Sequence, residues 1–329
     1  MTIAFFSAQT YEKPFFDLST QNTNLKIKYI KAGLSVETAI LAQDCEIACI
    51  FVNDHADAAA LKALRELDIK LLALRCAGYN QVDLPKAKEL GITVVRVPAY
   101  SPYAVAEHTI ALMLTLNRHT HKAYNRVRES NFALDGLLGF DMHGKTVGLI
   151  GLGKIGIITA QILAGFGCKL LGYDMLESEE AKAVGVTFVP LDDLLAQADI
   201  VTLHCPLTPQ TKHLINAQSI KLVKPGVMII NTSRGALIDG AAAIEGLKNK
   251  QIGYLGMDVY EEEGDLFFRD LSEQVIQDDV FMRLSTFPNV LITGHQAFFT
   301  SNALTNIAQT TIQNVQDWQA CYPLTNQVL

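Results

Sequence analysis

One stretch constrains this chain more than any other: residues 145–174, KTVGLIGLGKIGIITAQILAGFGCKLLGYD. It opens on an apolar run, Thr146 to Ile150, that reads as a strand. Gly151-Leu152-Gly153-Lys154-Ile155-Gly156 follows with G-x-G-x-x-G spacing. A helix-compatible segment comes next, then a second apolar run from Lys169 to Tyr173 that ends on Asp174. Each part has a physical task in gripping a dinucleotide. Gly151 permits the tight turn, Gly153 lets backbone approach a pyrophosphate, and Gly156 lets helix pack on strand. The helix N-terminus offers free N–H groups and a positive dipole end to the anion. Asp174, 18 residues past Gly156, stands where it can accept hydrogen bonds from a ribose diol. Alone, the glycines would mean only a tight turn; the strand, helix, strand and terminal Asp around them make the motif specific.

The rest of the chain repeats the same grammar. Strands are expected at 3–7, 26–30, 47–52, 71–76 and 93–97, with helical patterns between them, notably 56–67 and 83–90. Strands alternating with helices at this spacing give a parallel sheet with helices on both faces. This first α/β domain has no phosphate loop. Val97 to Pro102 breaks the pattern and reads as a crossover, with Ser101 placed to cap a helix that starts near Pro102. That helix, to about Asn117, is apolar on most sides and must be buried, in a core or against a second subunit. After the dinucleotide unit, strands are expected at 199–205, 227–232, 254–259 and 290–293, with a helix at 239–248 and a long polar loop at 261–288. A final helical stretch, 300–318, is expected to fold back onto the first domain. The fold class is thus α/β, with two doubly wound parallel-sheet domains. One is discontinuous, residues 1–100 plus 299–329; the other is residues 101–298.

Net charge is −7 and no basic run occurs, which argues against nucleic acid or an anionic membrane as the main partner. The N-terminus, MTIAFFSAQTYEKPFF, lacks a basic segment followed by an apolar core, so no signal peptide is expected. The most hydrophobic region, 147–166, carries Lys154 and several turn and packing glycines, so it does not read as a membrane span. Six cysteines, at 45, 49, 76, 168, 205 and 321, form no C-x-x-C pair and lie mostly in apolar runs, as buried thiols of a reducing cytoplasm do. No metal is expected: His119 and His121 have no convergent acids or cysteines.

Open α/β sheets bind ligands beyond the carboxyl ends of their strands. In the second domain those ends read His204-Cys205-Pro206, Ser233-Arg234-Gly235, Tyr260 followed by Glu261-Glu262-Glu263, and Gly294-His295-Gln296. An Arg, a Glu and a His leave neighbouring strands on the edge that carries the nucleotide loop. Each alone reads as a surface or core residue. Together they suit hydride transfer at a carbonyl: His gives the proton near neutral pH, a carboxylate supports and orients the imidazolium, and an Arg fork holds the carboxylate of a 2-oxo acid.

At this point the chain resembles the D-specific 2-hydroxyacid dehydrogenases, and within them the lactate branch of bacterial fermentation. The likeness spans the whole chain through RCAGYNQVDL at 75–84, VRVPAYSPYAVAEH at 95–108, GLGKIG at 151–156, LHCPLT at 203–208, NTSRGALID at 231–239, GMDVYEEE at 256–263 and GHQAFFT at 294–300. The resemblance implies a flavodoxin-like substrate domain and a Rossmann NAD-binding domain, with the active-site cleft between them. It implies Arg234, Glu263 and His295 as the catalytic trio. Cofactor contacts carry over to Gly151, Gly153, Lys154, Ile155, Gly156, Asp174, Cys205, Pro206, Thr232, Ser233 and Asp258. Backbone N–H groups of Ala77 and Gly78 match the substrate-carboxylate site, Arg75 and Tyr100 lie near it, and Phe51 and Phe298 match its apolar wall. One local departure is Glu263-Gly264, where many relatives have an acid followed by Pro.

Crowding by Phe51 and Phe298 favours a methyl side chain, hence NADH-dependent reduction of pyruvate to D-lactate, with hinge closure expected near Tyr100 and Phe299. Asp174 repels a 2′-phosphate and Met175-Leu176 offer no Arg to receive one, so NAD is favoured over NADP. A cytoplasmic homodimer or homotetramer is expected. Two alternatives stand beside this reading: a reductase of larger 2-oxo acids, and an NAD-sensing binding protein on the same scaffold.

Overall fold

The structure, a computed structural model, describes residues 1–328. The chain divides into two compact units, one of Met1–Ser101 with the segment that begins at Phe299, the other Pro102–Phe298. In chain order the first unit holds β1 (Thr2–Phe5), α1 (Lys13–Thr20), β2 (Lys26–Tyr29), β3 (Ile47–Ile50), α2 (Ala58–Glu66), β4 (Leu71–Leu74), α3 (Leu84–Glu89) and β5 (Thr93–Arg96). The second holds α4 (Pro102–Arg118), α5 (Thr120–Arg128), β6 (Thr146–Ile150), α6 (Lys154–Gly165), β7 (Lys169–Tyr173), α7 (Glu179–Ala183) and β8 (Val186–Phe188). It continues through α8 (Leu191–Gln197), β9 (Ile200–Leu203), β10 (Val227–Asn231), α9 (Gly240–Lys248), β11 (Ile252–Met257), α10 (Asp279–Ser285) and β12 (Val290–Ile292). The chain then returns to the first unit with α11 (Ser301–Gln319) and β13 (Gln327–Val328).

In the first unit the strand order is β13-β5-β4-β3-β1-β2, parallel except for β13, which pairs antiparallel with β5. That edge strand is absent from the expectation above; two residues are too few for a periodicity signal. In the second unit the order is β12-β11-β10-β9-β6-β7-β8, parallel throughout. Its sheet is covered on both faces, so the central strands β6, β9 and β10 are buried on both sides. Ile150, Val201, Leu203, Ile229, Leu255 and Met257 face a core built with α8 and α9. Leu149, Leu170, Ile200, Met228 and Ile230 face the other, built with α4, α6 and α7.

One expectation changes. The stretch 261–288, read as loop, contains α10, whose N-terminus is capped by Asp278 accepting from Phe281 N. Leu284 is buried there, and Phe281 packs beside it against the sheet core. Acidic neighbours hide this one-sided pattern from a composition-based reading. The apolar helix α4 is largely explained by core burial, since it packs on α6, β10 and β11 within its own unit. The more exposed apolar surface lies beyond it, where Phe132 is 72% and Leu138 is 88% exposed. Among the described residues no helix is long and apolar enough to cross a membrane.

Candidate active site

The glycine loop takes the shape its spacing predicts. Gly151, just after β6, has φ +92°, and a Cβ there would overlap the His204–Cys205 backbone after β9. Gly156 lies against the Gly151 carbonyl, so α6 begins in contact with the turn. Gly153 is different: it is exposed and no protein atom lies within 4 Å of where its Cβ would be. Its space is open for a ligand rather than filled by packing. Asp174 closes the loop from the end of β7, its Oδ2 accepting from Leu152 N at 2.6 Å and its Oδ1 from Met175 N at 2.6 Å. Each carboxylate oxygen keeps a further lone pair for a ribose hydroxyl. These residues fit a dinucleotide.

After β9, His204 donates its backbone N–H to Ile150 O at 2.7 Å, and its Nε2 lies 3.1 Å from Thr202 Oγ1. Burial of the ring pushes its pKa down to about 4, so it is neutral at pH 7. Burial also pushes the Cys205 thiol up to about 11, so it is no nucleophile at neutral pH. The sign of the His204 effect makes a prediction. An unfolded imidazole binds a proton near pH 6.5 and the folded one only near 4, so stability is lost as pH falls through that window. Part of the residue stays accessible, so the loss is at most about 3 kcal/mol. His204→Gln is expected to flatten the slope of thermal stability between pH 6.5 and 4; an unchanged slope would place its cause elsewhere.

The loop after β10 is held by Asn231, whose Oδ1 accepts from Ser233 N at 3.0 Å and whose Nδ2 donates to Arg234 O at 2.8 Å. Ser233 Oγ donates to Cys205 O at 2.7 Å, and Thr232 Oγ1 pairs with Thr109 Oγ1 of α4 at 2.8 Å. Arg234 is half-buried, with Nη1 donating to Ser233 O. A Cβ on Gly235 would overlap the backbone of Tyr260 and Glu261, so the loops carrying Arg234 and Glu263 touch here through glycine alone. Gly235→Ala is therefore expected to cost about 1–3 kcal/mol and lower the melting temperature of this unit by roughly 2–12 °C in calorimetry.

After β11, the buried Asp258 takes three bonds from the turn after β12: Thr293 Oγ1 at 2.5 Å, Gln296 N at 2.9 Å and Ala297 N at 2.8 Å. His295 N also donates to Asp258 O at 2.7 Å. This clamp holds His295 in the left-handed region, φ +52°, a conformation that needs such support. His108 of α4 adds its Nε2 3.1 Å from Thr293 Oγ1. His295 Nδ1 meets Glu263 Oε1 at 2.6 Å, and Glu263 Oε2 accepts from Tyr260 N at 2.9 Å. Nδ1 is committed to Glu263, while Nε2 has no partner among the described residues. The rings of Phe268 and Phe298 lie 5.7 and 6.4 Å from the imidazole. A second pair, His213 Nε2 to Glu261 Oε2 at 2.8 Å, stands nearby in sequence and was not anticipated. Among the described residues no group of acids, His and Cys is arranged for a metal.

In the first unit, Arg75 is buried in an ion pair with Glu12, Nε to Oε1 at 2.8 Å. Nη2 donates to Ser7 O at 3.0 Å, and the guanidinium stacks between the rings of Phe5 and Phe51 at 4.1 and 4.8 Å. Sequence reading placed Arg75 near the substrate as a cation. Here its charge is answered internally, and only Nη1 lacks a partner. Asp54 fixes the same strand ends by accepting from Phe51 N, Leu34 N and Ser7 Oγ. Glu12 in YEKPFF is the partner that sequence reading missed; beside Lys13 it reads as a surface acid. Ala77 and Gly78 follow β4, half-buried.

The family model for D-isomer specific 2-hydroxyacid dehydrogenases, NAD binding domain, matches residues 110–297. The chain belongs to the D-isomer specific 2-hydroxyacid dehydrogenase family. The D-lactate dehydrogenase of Escherichia coli is 53% identical over 317 residues, covering 96% of each protein. A solved structure, the pyruvate reductase of Chlamydomonas reinhardtii, matches with a TM-score of 0.94 at 47% identity over 99% of this chain and 98% of that one. The D-lactate dehydrogenase of Aquifex aeolicus, solved with NAD and lactic acid, matches at 0.86 and 33% identity over 97% and 96%. This 2-hydroxyacid dehydrogenase is an oxidoreductase, and its second unit is the NAD-binding domain, with the two-sheet α/β architecture of its relatives.

Proposed function

We propose that this dehydrogenase reduces pyruvate to D-lactate, with bound NADH supplying the hydride. The His295–Glu263 contact carries the reading: a 2.6 Å bond fixes Nδ1 and leaves Nε2 free at the strand ends. Nε2 gives its proton to the carbonyl oxygen as negative charge develops there. Glu263 orients the ring and answers the charge of the imidazolium. Arg234 holds the 2-oxo acid and polarises its carbonyl through a planar fork. In the reverse direction the same nitrogen takes the hydroxyl proton.

The amides of Ala77 and Gly78 bind the substrate carboxylate, and Phe51, Phe298 and Tyr100 limit its side chain. Arg75 supports Phe51 through the stack and ion pair described above. The cofactor is held by the glycine loop from Gly151 to Gly156, including Lys154 and Ile155, and by Asp174. Cys205, Pro206, Thr232, Ser233 and Asp258 line the strand ends beside it. The E. coli and C. reinhardtii proteins, named for D-lactate and pyruvate, support the choice of substrate.

The deciding experiment is NADH oxidation by purified protein with pyruvate, followed by D- and L-specific assay of the product. An L product overturns the reading. Faster turnover of phenylpyruvate than pyruvate would instead favour the larger 2-oxo acids. Asp174→Ala is expected to weaken NADH about tenfold and NADPH less, since a charged hydrogen bond to the ribose contributes roughly 1.5–3 kcal/mol; equal effects would remove that contact.

All six cysteines are unpaired, which supports a reducing cytoplasm. The exposed apolar segment after α5 supports a homo-oligomer, with Phe132 and Leu138 covered by a second copy. Sedimentation of Leu138→Glu would then show a shift toward monomer.

A further inference from the structure

Three peptide groups after β4 are oriented by partners on their carbonyls. The Cys76 carbonyl accepts from Val97 N at 3.2 Å. The Ala77 carbonyl accepts from Arg96 Nη1 at 2.8 Å. The Gly78 carbonyl accepts from the Cys76 thiol at 3.2 Å. In a trans peptide the C=O of one residue and the N–H of the next point opposite ways. Pinning the carbonyls of Cys76 and Ala77 toward the end of β5 therefore aims the N–H groups of Ala77 and Gly78 away from it, to one side. Neither N–H has an acceptor among the described residues. Two successive amides turned the same way form a concavity for an anion.

Of the two pins, one is backbone and one is a side chain. Val97 supplies its N–H whatever its identity. The Ala77 carbonyl depends on Arg96, and Arg96 is unusually well anchored. Its backbone N–H donates to Asn326 O at 3.1 Å and its carbonyl accepts from Asn314 Nδ2 at 2.9 Å. Asn326 Nδ2 in turn donates to Asn314 Oδ1 at 2.8 Å. The guanidinium also lies over the Tyr79 ring at 5.2 Å, which keeps the planar group beside the loop.

We propose that Arg96 is a positioning residue for the substrate carboxylate: it holds the Ala77 carbonyl so that the Gly78 N–H faces the anion. This rests on the reading of Ala77 and Gly78 as the carboxylate site. Arg96 itself does not touch substrate. Its charge is directed at a carbonyl and an aromatic face, and it acts through the peptide plane.

The test is Arg96→Met, with Arg96→Lys as the variant that restores a donor. Arg96→Met is expected to raise the KM for pyruvate and the inhibition constant of oxamate together, by about tenfold, the size of one charge-assisted hydrogen bond. The KM for NADH, kcat and melting temperature should stay near wild type, and Arg96→Lys should recover most of the loss. A fall in kcat, NADH affinity and melting temperature together would mean that Arg96 only supports the fold, and overturns the proposal. So would an unchanged KM for pyruvate.

Amide NMR of protein labelled at Ala and Gly separates the two layers. In wild-type protein with NADH, adding oxamate should move the Ala77 and Gly78 amide signals, and Arg96→Met should reduce the movement at Gly78. Wild-type signals that do not move would overturn the carboxylate site itself. Signals that move equally in wild type and Arg96→Met would leave that site standing and overturn the role of Arg96. If Arg96→Met does not fold, Arg96→Gln carries the same comparison: its amide is too short to reach the Ala77 carbonyl, so it should raise KM for pyruvate without altering that for NADH.

Discussion

His295→Gln is expected to lose about 10²–10⁴-fold in kcat while NADH binds as tightly as to wild type. The size follows from the role: a positioned acid contributes that much to carbonyl reduction, and Gln cannot release a proton. The specificity of the loss follows from geometry. The turn that carries residue 295 is held by backbone N–H groups at Asp258 and by Thr293, none of which needs the imidazole. The fold of the turn should survive, and the glycine loop, with Asp174 at its edge, is untouched. The measurement is single-turnover reduction of pyruvate, with NADH affinity from fluorescence. Wild-type turnover would remove His295 from its role; lost NADH affinity would show that the turn had collapsed.

A second large effect is expected at Arg234. Arg234→Lys keeps the charge but loses the planar fork, and a Lys ammonium cannot bind carboxylate and carbonyl along parallel bonds. Losing such a contact costs about 3–4 kcal/mol in charge-assisted hydrogen bonding, so kcat/KM should fall about 10²–10³-fold. Because Asn231 holds this loop through the backbone of Ser233 and Arg234, the loop itself should persist. The kinetic signature is a rise in KM for pyruvate together with a lower kcat, at constant NADH affinity. A variant within threefold of wild type would exclude Arg234 as the substrate clamp.

Much of this arrangement was legible because its signals are local. The glycine loop is written in consecutive residues, and the strand that follows ends on Asp174. Parallel strands buried on both faces read as apolar runs, which located β6, β9 and β10 within a few residues. Arg234, His295 and an acidic run, Glu261-Glu262-Glu263, read as chemistry-bearing types at strand ends, and the family resemblance singled out Glu263 within that run. What stayed hidden depends on pairs distant in sequence. Glu12 and Arg75 lie 63 residues apart and meet only once β4 stands beside the segment after β1. Arg96 reads as an ordinary strand-end cation until the Ala77 carbonyl and Asn314 come to it. The clamp by Asp258 was missed because three of its partners are a hydroxyl and two backbone amides, which carry no sequence label. The helix α10 was lost to its acidic surroundings, although Asp278 and Leu284 marked its cap and its buried face.

The split ownership of the first sheet bears on how the protein is made. On a ribosome, β1 to β5 emerge first, but the edge of β5 stays uncovered until β13 is synthesised, and α11 reaches α1, β4 and β5 only then. Between them lies the whole second unit, Pro102–Phe298. At roughly 5–20 residues per second this delay is about 10–40 s. The second unit can therefore complete itself before the first, although it comes later in the chain. A nascent chain stalled before residue 299 would display a naked strand edge and the apolar strip meant for α11. Such fragments are natural clients for chaperones and proteases.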